Sequence, residues 1–256
     1  MSKLSELCPH LSPLPMTEPW GHWKGKTSNV WLKRVWQRVS GVLHEGVTGL
    51  RVARLGGHFA RHGHGYVQVA ADRVADALGA RAMVEIADAA AGRAAAFLIT
   101  AAEGANQHLD DLRTQPERFE PLTRDRLLAG ALLPAQWVVH AQRVRSHYRT
   151  HVMELFRHWD ILIAPATPSV ATPIGQDMLE ADGQVVPLRP SFGVYTQPIS
   201  CIGLPVIAAP LQGVDDVMPV GVQLIAAPWA EDVLFRAAAL LEREGICASV
   251  VAPGFV

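Results

Sequence analysis

Asp160–Ala166 reads DILIAPA, Leu204–Leu211 reads LPVIAAPL and Val220–Ala226 reads VGVQLIA. Each run is short, almost continuously apolar and bounded by proline, glycine or a charge. A strand with one wet face would alternate polar and apolar residues, and these do not. Unbroken runs of this length read as strands covered on both faces, as in α/β proteins. They predict a mixed central β-sheet flanked by helices. Between the last two lies GVDDVMP, a turn-rich loop. Between the first two, Asp182-Gly183 separates MLEA from QVVPL, the signal of a hairpin closed by a type I′ turn.

Upstream, Thr48–Leu55 (TGLRVARL) reads as a strand running into Gly56-Gly57. Val67, Ala70, Val74 and Leu78 then recur at helical spacing over Tyr66–Leu78, with Gly79 as the stop. Arg81–Ile86 reads as a second strand, so strand, helix and strand follow one another as a βαβ unit. A long Ala-rich helix is expected over Asp88–Leu112, ending before Pro116. Thr123 is expected to cap a helix ending near Leu133, and Pro134 to open one reaching Trp159. Glu231–Glu244 reads as a final helix with Val233, Leu234, Ala237, Leu240 and Leu241 on one face and Gly245 as its stop. Residues 249–256, SVVAPGFV, read as a tail or a short edge strand.

Composition fits this reading. Of 256 residues, 49% are hydrophobic and 18% charged, enough to bury a core and too apolar for global disorder. No apolar run approaches the ~20 residues of a membrane span, and the first residues lack the apolar stretch of a secretory signal. A net charge of −1 argues against a nucleic-acid partner. Cys8, Cys201 and Cys247 have no paired spacing, which argues against a disulfide framework or a Cys-rich zinc site and fits a reducing cytoplasm.

The composition breaks near residue 46. All four lysines fall within the first 33 residues, and residues 47–256 carry 17 arginines with no lysine. Four of the seven tryptophans, and Pro9, Pro13, Pro15 and Pro19, also sit at the start. Residues 1–46 therefore read as a basic, Pro/Trp-rich segment distinct from an α/β region over 47–256. Within the segment, 28–40 (SNVWLKRVWQRVS) has the pattern of a basic amphipathic helix. Such a helix either packs on the main body or docks on a membrane surface or partner.

The usual signatures of catalysis are missing. There is no GxSxG elbow, no GxxxxGK[ST] phosphate loop, no GxGxxG fingerprint and no Ser-Ser dipeptide. Ser191 and Ser200 have no lysine in their half of the chain, and Cys201 sits in an apolar setting that suits packing. His147 and His151, four apart on the helix after Pro134, could share a metal, but the sequence shows no third ligand. His58, His62 and His64, in GGHFARHGH, read as an exposed loop. No metal and no cofactor are expected. The candidate substrate-binding stretch is Arg189–Pro205, RPSFGVYTQPISCIGLP. It gathers Arg189, Tyr195, Thr196 and Gln197, groups able to orient a small polar ligand. Arg189 could grip a carboxylate with two hydrogen bonds. Tyr195 and Gln197 could equally satisfy backbone groups.

Three blocks, DILIAPATPSVATPIG, RPSFGVYTQPISCIGLPVIAAPL and MPVGVQLIAAPWAEDVLFRAAALLE, resemble in order and spacing the C-terminal half of the amidase signature family. GLRVARLGGHF and ALGARAMVEI resemble the segment that precedes them, so the likeness covers about residues 47–253. YTQPISCIGLP and VGVQLIAAPW are most similar to the carboxybiuret hydrolase branch. Amidotransferase A subunits carry an acidic residue where this chain has Gly193 and Val194. The resemblance implies an amide C–N hydrolase acting on small amide or urea-like substrates. It also implies a serine nucleophile, a second serine and a lysine base, carried by a Gly/Ser-rich signature in the N-terminal half. This chain has no GGSSGG-like stretch, so no catalytic residue is carried over. The expectation is an N-terminally truncated amidase, inactive alone. The alternatives are a non-catalytic binding subunit and one chain of a split enzyme. Half of a continuous sheet would leave an open edge, predicting self-association or pairing with an N-terminal amidase fragment.

Overall fold

The computed structural model describes residues 41–212 and 218–248. The helix expected over 28–40, the tail 249–256 and nearly all of the segment 1–46 lie outside the described residues.

Val52–Leu55 forms β1, with all four residues buried. A 3₁₀ turn follows at Gly57–Ala60, then helix α1 (Gly65–Ala77) and strand β2 (Ala82–Val84), parallel to β1. This is the expected βαβ unit. Gly79 stops α1 with φ of 71°, a left-handed conformation that glycine adopts without a Cβ clash. Helices α2 (Ala89–Gln107), α3 (Leu109–Thr114), α4 (Pro121–Ala131) and α5 (Ala135–Leu155) come next. The Ala-rich stretch expected as one helix is thus two, broken at His108, whose φ of −107° and ψ of 17° are not helical. The cap of α4 is Glu120 rather than Thr123. Its carboxylate accepts from the Leu122 and Thr123 amides, and Pro121 takes the first helical position, where no donor is needed.

Strand β3 (Ile161–Pro165) is buried throughout. The hairpin β4 (Met178–Ala181) and β5 (Gln184–Pro187) follows, then two short helices, α6 (Leu188–Ser191) and α7 (Gln197–Ser200). At the hairpin, Asp182 and Gly183 have φ of 51° and 69°, the two successive positive angles of a type I′ turn. Strands β6 (Val206–Leu211) and β7 (Val220–Ile225) and helix α8 (Glu231–Arg243) complete the described chain.

The five-stranded sheet has the order β2-β1-β3-β7-β6; β1 is parallel to β2 and β3, while β7 is antiparallel to both β3 and β6. Alternation along each strand assigns side chains to two faces. Val52, Ile161, Ile163, Val222 and Leu224 pack with α1 and α8. Ala53, Leu55, Leu162, Ala164 and Ile225 pack with Tyr148 and Val152 of α5 and with Tyr195, Ile199 and Ile202. The parallel register of β1 and β3 is clamped just before both strands. The Arg51 guanidinium donates from Nε (3.1 Å) and from a terminal nitrogen (2.8 Å) to the Asp160 carboxylate, whose pKa these bonds lower. Among the described residues no helix is long and apolar enough to cross a membrane.

Candidate functional site

A cleft of about 1350 Å³ opens between α2, α4, the β4–β5 hairpin and the segment 187–197. It is larger than the ~300–1,000 Å³ usual for a small-molecule pocket. Phe97, Leu98, Leu127, Met178 and Phe192 make its walls largely apolar. Its polar lining includes Glu120, Thr123, Arg126, Arg189 and Gln197.

Arg189 donates to the Glu120 carboxylate at 2.7 Å and to the Thr123 hydroxyl at 2.8 Å. Glu120 therefore does two jobs: it caps α4 and fixes the guanidinium. Those hydrogen bonds, Arg189's first, lower its pKa from an ordinary 4.5 to about 2. Both partners are more than half exposed, so the pair is one that an incoming anion can displace. Arg93, half-buried on α2, donates to Gln197 Oε1 at 3.0 Å and to the Pro190 carbonyl at 2.6 Å. It ties the two ends of the segment together. Arg126 lies 4.5 Å over the centre of the Phe97 ring and donates to the Thr100 hydroxyl at 2.7 Å.

A pH dependence follows from Glu120. Its pKa is lower folded than unfolded, so its contribution to stability is complete above 4.5 and is lost as pH falls toward about 2. Glu120→Gln is expected to lower the thermal midpoint at neutral pH. The gap from the parent protein should close across that acid window, as followed by circular dichroism. A gap that stays constant through the window would mean the carboxylate charge plays no part.

Of the four residues expected to converge, Arg189 and Gln197 line the cleft. Tyr195 is fully buried, its ring stacked on Phe59 at 6.3 Å and its hydroxyl donating to the Arg61 carbonyl. Thr196 is exposed and is not part of the cleft wall. The segment is helical around Thr196 (φ −89°, ψ −36°), and neighbours one or two apart on such a turn point in different directions. The sequence reading missed Arg93, Arg126 and Glu120. Glu120 was signalled by its place immediately before a proline at a helix start.

The other candidates resolve as follows. The Cys201 thiol packs against the Gly92 and Pro198 carbonyls, and burial pushes its pKa up to about 11, the opposite of an activated nucleophile. The histidine loop is not uniformly exposed. His58 is half-buried with Nε2 at 3.0 Å from the Val194 carbonyl, and burial lowers its pKa. His62 is exposed, and His64 stacks on Tyr66 with ring centres 5.1 Å apart. His147 and His151 do lie together on an exposed face of α5, and the fold brings Asp88 to them.

The mixed sheet with helices on both faces and a cleft beside it define an α/β fold, and comparison with known proteins places it. The Amidase family profile matches residues 37–235. The chain belongs to the amidase family. It is 51% identical over 206 residues to the 1-carboxybiuret hydrolase subunit AtzE of Pseudomonas sp. (strain ADP), a match covering 80% of this chain and 45% of that one. A solved structure described as an unexpected vestigial protein complex that reveals the evolutionary origins of an s-triazine catabolic enzyme superposes with a TM-score of 0.81 at 49% identity. That match covers 83% of this chain and 47% of the other. A crystal structure of an amidase superposes with a TM-score of 0.69 at 26% identity, over 76% of this chain and 45% of that one. The chain thus spans about half the length of these relatives.

Proposed function

We propose that this chain supplies the substrate-enclosing part of an amide C–N hydrolase of the carboxybiuret hydrolase kind. It does not cleave amides alone. The observation that carries this reading is a cleft bounded by the family-like segment 187–197 in which, among the described residues, no nucleophile–base pair stands. The serines of that region are engaged with backbone: Ser191 donates to the Pro187 carbonyl at 2.7 Å and Ser200 to the Gln197 carbonyl at 3.4 Å. A serine hydroxyl is a weak nucleophile until a base takes its proton, and residues 41–256 contain no lysine.

In this reading Arg189 and Gln197 contact a small amide or urea-like substrate. Arg189 meets a carboxylate in place of Glu120, and Arg93 holds the Gln197 amide in orientation. Buried Tyr195 anchors the turn that carries Gln197, and Thr196 stands exposed on its outer side. The serine nucleophile and lysine base come from a polypeptide carrying the N-terminal half of the family fold. Free thiols at Cys201 and Cys247 suit a cytoplasmic setting. The likeness to a complex described as vestigial supports a second reading, a non-catalytic subunit paired with a complete amidase.

The test is ammonia release from biuret-like and simple amides by the purified chain, alone and co-expressed with an N-terminal amidase fragment. No release alone and recovered turnover in the pair is the expected result. Release by the chain alone, or stoichiometric labelling of one of its serines by a fluorophosphonate probe, would overturn the proposal. Stable binding to a complete amidase without added turnover favours the second reading.

A further inference from the structure

We propose that Asp88, His147 and His151 form a surface site for a divalent transition ion, zinc in the first instance, which staples the start of α2 to the middle of α5. One oxygen of Asp88 and one ring nitrogen from each histidine lie within 4.8 Å of one another. The imidazole centres are 4.1 Å apart, and His151 Nδ1 is 3.8 Å from Asp88 Oδ2. Two residues four apart on a helix place their side chains one above the other, so α5 alone brings the two rings together. The third ligand comes from a different helix, 59 positions before His147 in sequence.

Asp88 is held for the task in an unusual way. It sits immediately before α2, where an aspartate side chain ordinarily accepts from the first-turn amides. Here it makes no such bond, and the backbone is left-handed with φ of 61°. The Asp88 carbonyl makes only the ordinary first helical bond, accepting from the Gly92 amide at 2.8 Å. The carboxylate makes no capping bond and stands 3.8 Å from His151 Nδ1 instead.

The donor set selects the ion. Two imidazoles and one carboxylate suit zinc and its neighbours in the first transition series, whereas calcium and magnesium require mostly oxygen ligands. Zinc holds such atoms at ~2.0–2.2 Å in a tetrahedron. Closing from the observed spacing needs only side-chain rotation, which exposed groups make freely. With three protein ligands the fourth position falls to solvent. Because the ligands span two helices, the ion binds the folded chain better than the unfolded one and raises the thermal midpoint.

The experiment titrates zinc and, separately, cobalt into the untagged chain. It reads stoichiometry by calorimetry, visible d–d absorption of cobalt and the thermal midpoint. One ion per chain is expected, with a raised midpoint. His151→Ala should abolish binding, and Asp88→Asn should weaken it on the order of tenfold or more. His108→Ala is the control, because His108 faces a single acid, Asp111, at 3.5 Å, and it should change nothing. All three variants alter exposed side chains, so their midpoints without metal verify folding. If Asp88→Asn binds as tightly as the parent, the site is only an adventitious histidine pair and the proposal fails. Binding that survives His151→Ala, or a metal-induced shift of midpoint that is absent, defeats it equally.

Discussion

Gly130→Ala is expected to lower the thermal midpoint of the chain by roughly 4–12 °C. A Cβ on Gly130 of α4 would stand 2.1 Å from the carbonyl oxygen of Ala101 on α2 and 2.6 Å from its carbon. Both are backbone atoms inside a helix, so no side chain can swing aside. The helices must part, and overpacking of this kind costs about 2–3 kcal/mol. For a domain of this size each kcal/mol moves the midpoint by about 2–4 °C. The consequence reaches the site, because Ala101 and Gly130 both line the cleft. Separating α2 from α4 also moves Glu120 and Thr123 relative to Arg189. Gly65→Ala is the matched control: it opens α1 where nothing lies within 4 Å of the added carbon, and it should be near neutral. Melting curves of the two variants decide the matter. Equal midpoints would mean that α2 and α4 are not in contact at Gly130.

The difference between what the sequence disclosed and what it hid follows from the range of the physics involved. Burial along β3 and β7 was legible because hydration acts on each residue where it stands and the apolar runs record it directly, whereas the equally apolar run of β6 lies at the sheet edge and is partly exposed, Val206 by 40%. The Asp182-Gly183 turn and the Gly79 stop were legible for the same reason, since φ preference is local. The break at His108 was not, because the Ala-rich stretch favours helix on both sides of it. The site was half legible. Arg189 and Gln197 were picked out by residue type near a strand end, but their partners are remote: Glu120 lies 69 positions from Arg189, and Arg93 lies 104 from Gln197. Asp88 was invisible beside the histidine pair, because only the packing of α2 on α5 joins them. Tyr195 takes the second of the two roles its sequence left open. A polar aromatic in a ligand-like stretch is fully buried, and its hydroxyl serves a carbonyl from the loop after β1.

Gln223→Leu is expected to cost about 2–6 kcal/mol and to loosen the segment that carries Gln197. Gln223 lies on β7 and is 1% exposed, among residues that are otherwise apolar. Its amide nitrogen donates to the Pro165 carbonyl at 2.8 Å and to the Tyr195 carbonyl at 3.0 Å. One side chain thus bonds the end of β3 to the turn above the sheet. Leucine fills the volume but removes both donors from carbonyls that water does not reach, at ~1–3 kcal/mol for each. Gln176→Leu is the comparison, since Gln176 donates to the Met178 carbonyl at 2.7 Å from an exposed position. Water replaces that bond, and the change should stay within ~0.5 kcal/mol. Hydrogen exchange separates a local effect from a global one: amides of 193–203 should exchange faster in Gln223→Leu than those of α8. Gln223→Glu carries the argument into electrostatics. A carboxylate there would face two carbonyl oxygens without water, so its pKa rises above the unfolded value. A raised folded pKa means that the variant comes nearest the parent below the ordinary carboxylate range and loses ground as pH rises. The gap in midpoint between Gln223→Glu and the parent should therefore be widest at neutral pH and narrow toward the acid side. Both gaps close toward the acid side but for opposite reasons: the parent loses the Glu120 contribution there, whereas the Gln223→Glu variant sheds a penalty. A gap independent of pH would show that position 223 is open to solvent and that the tether to Tyr195 is not made.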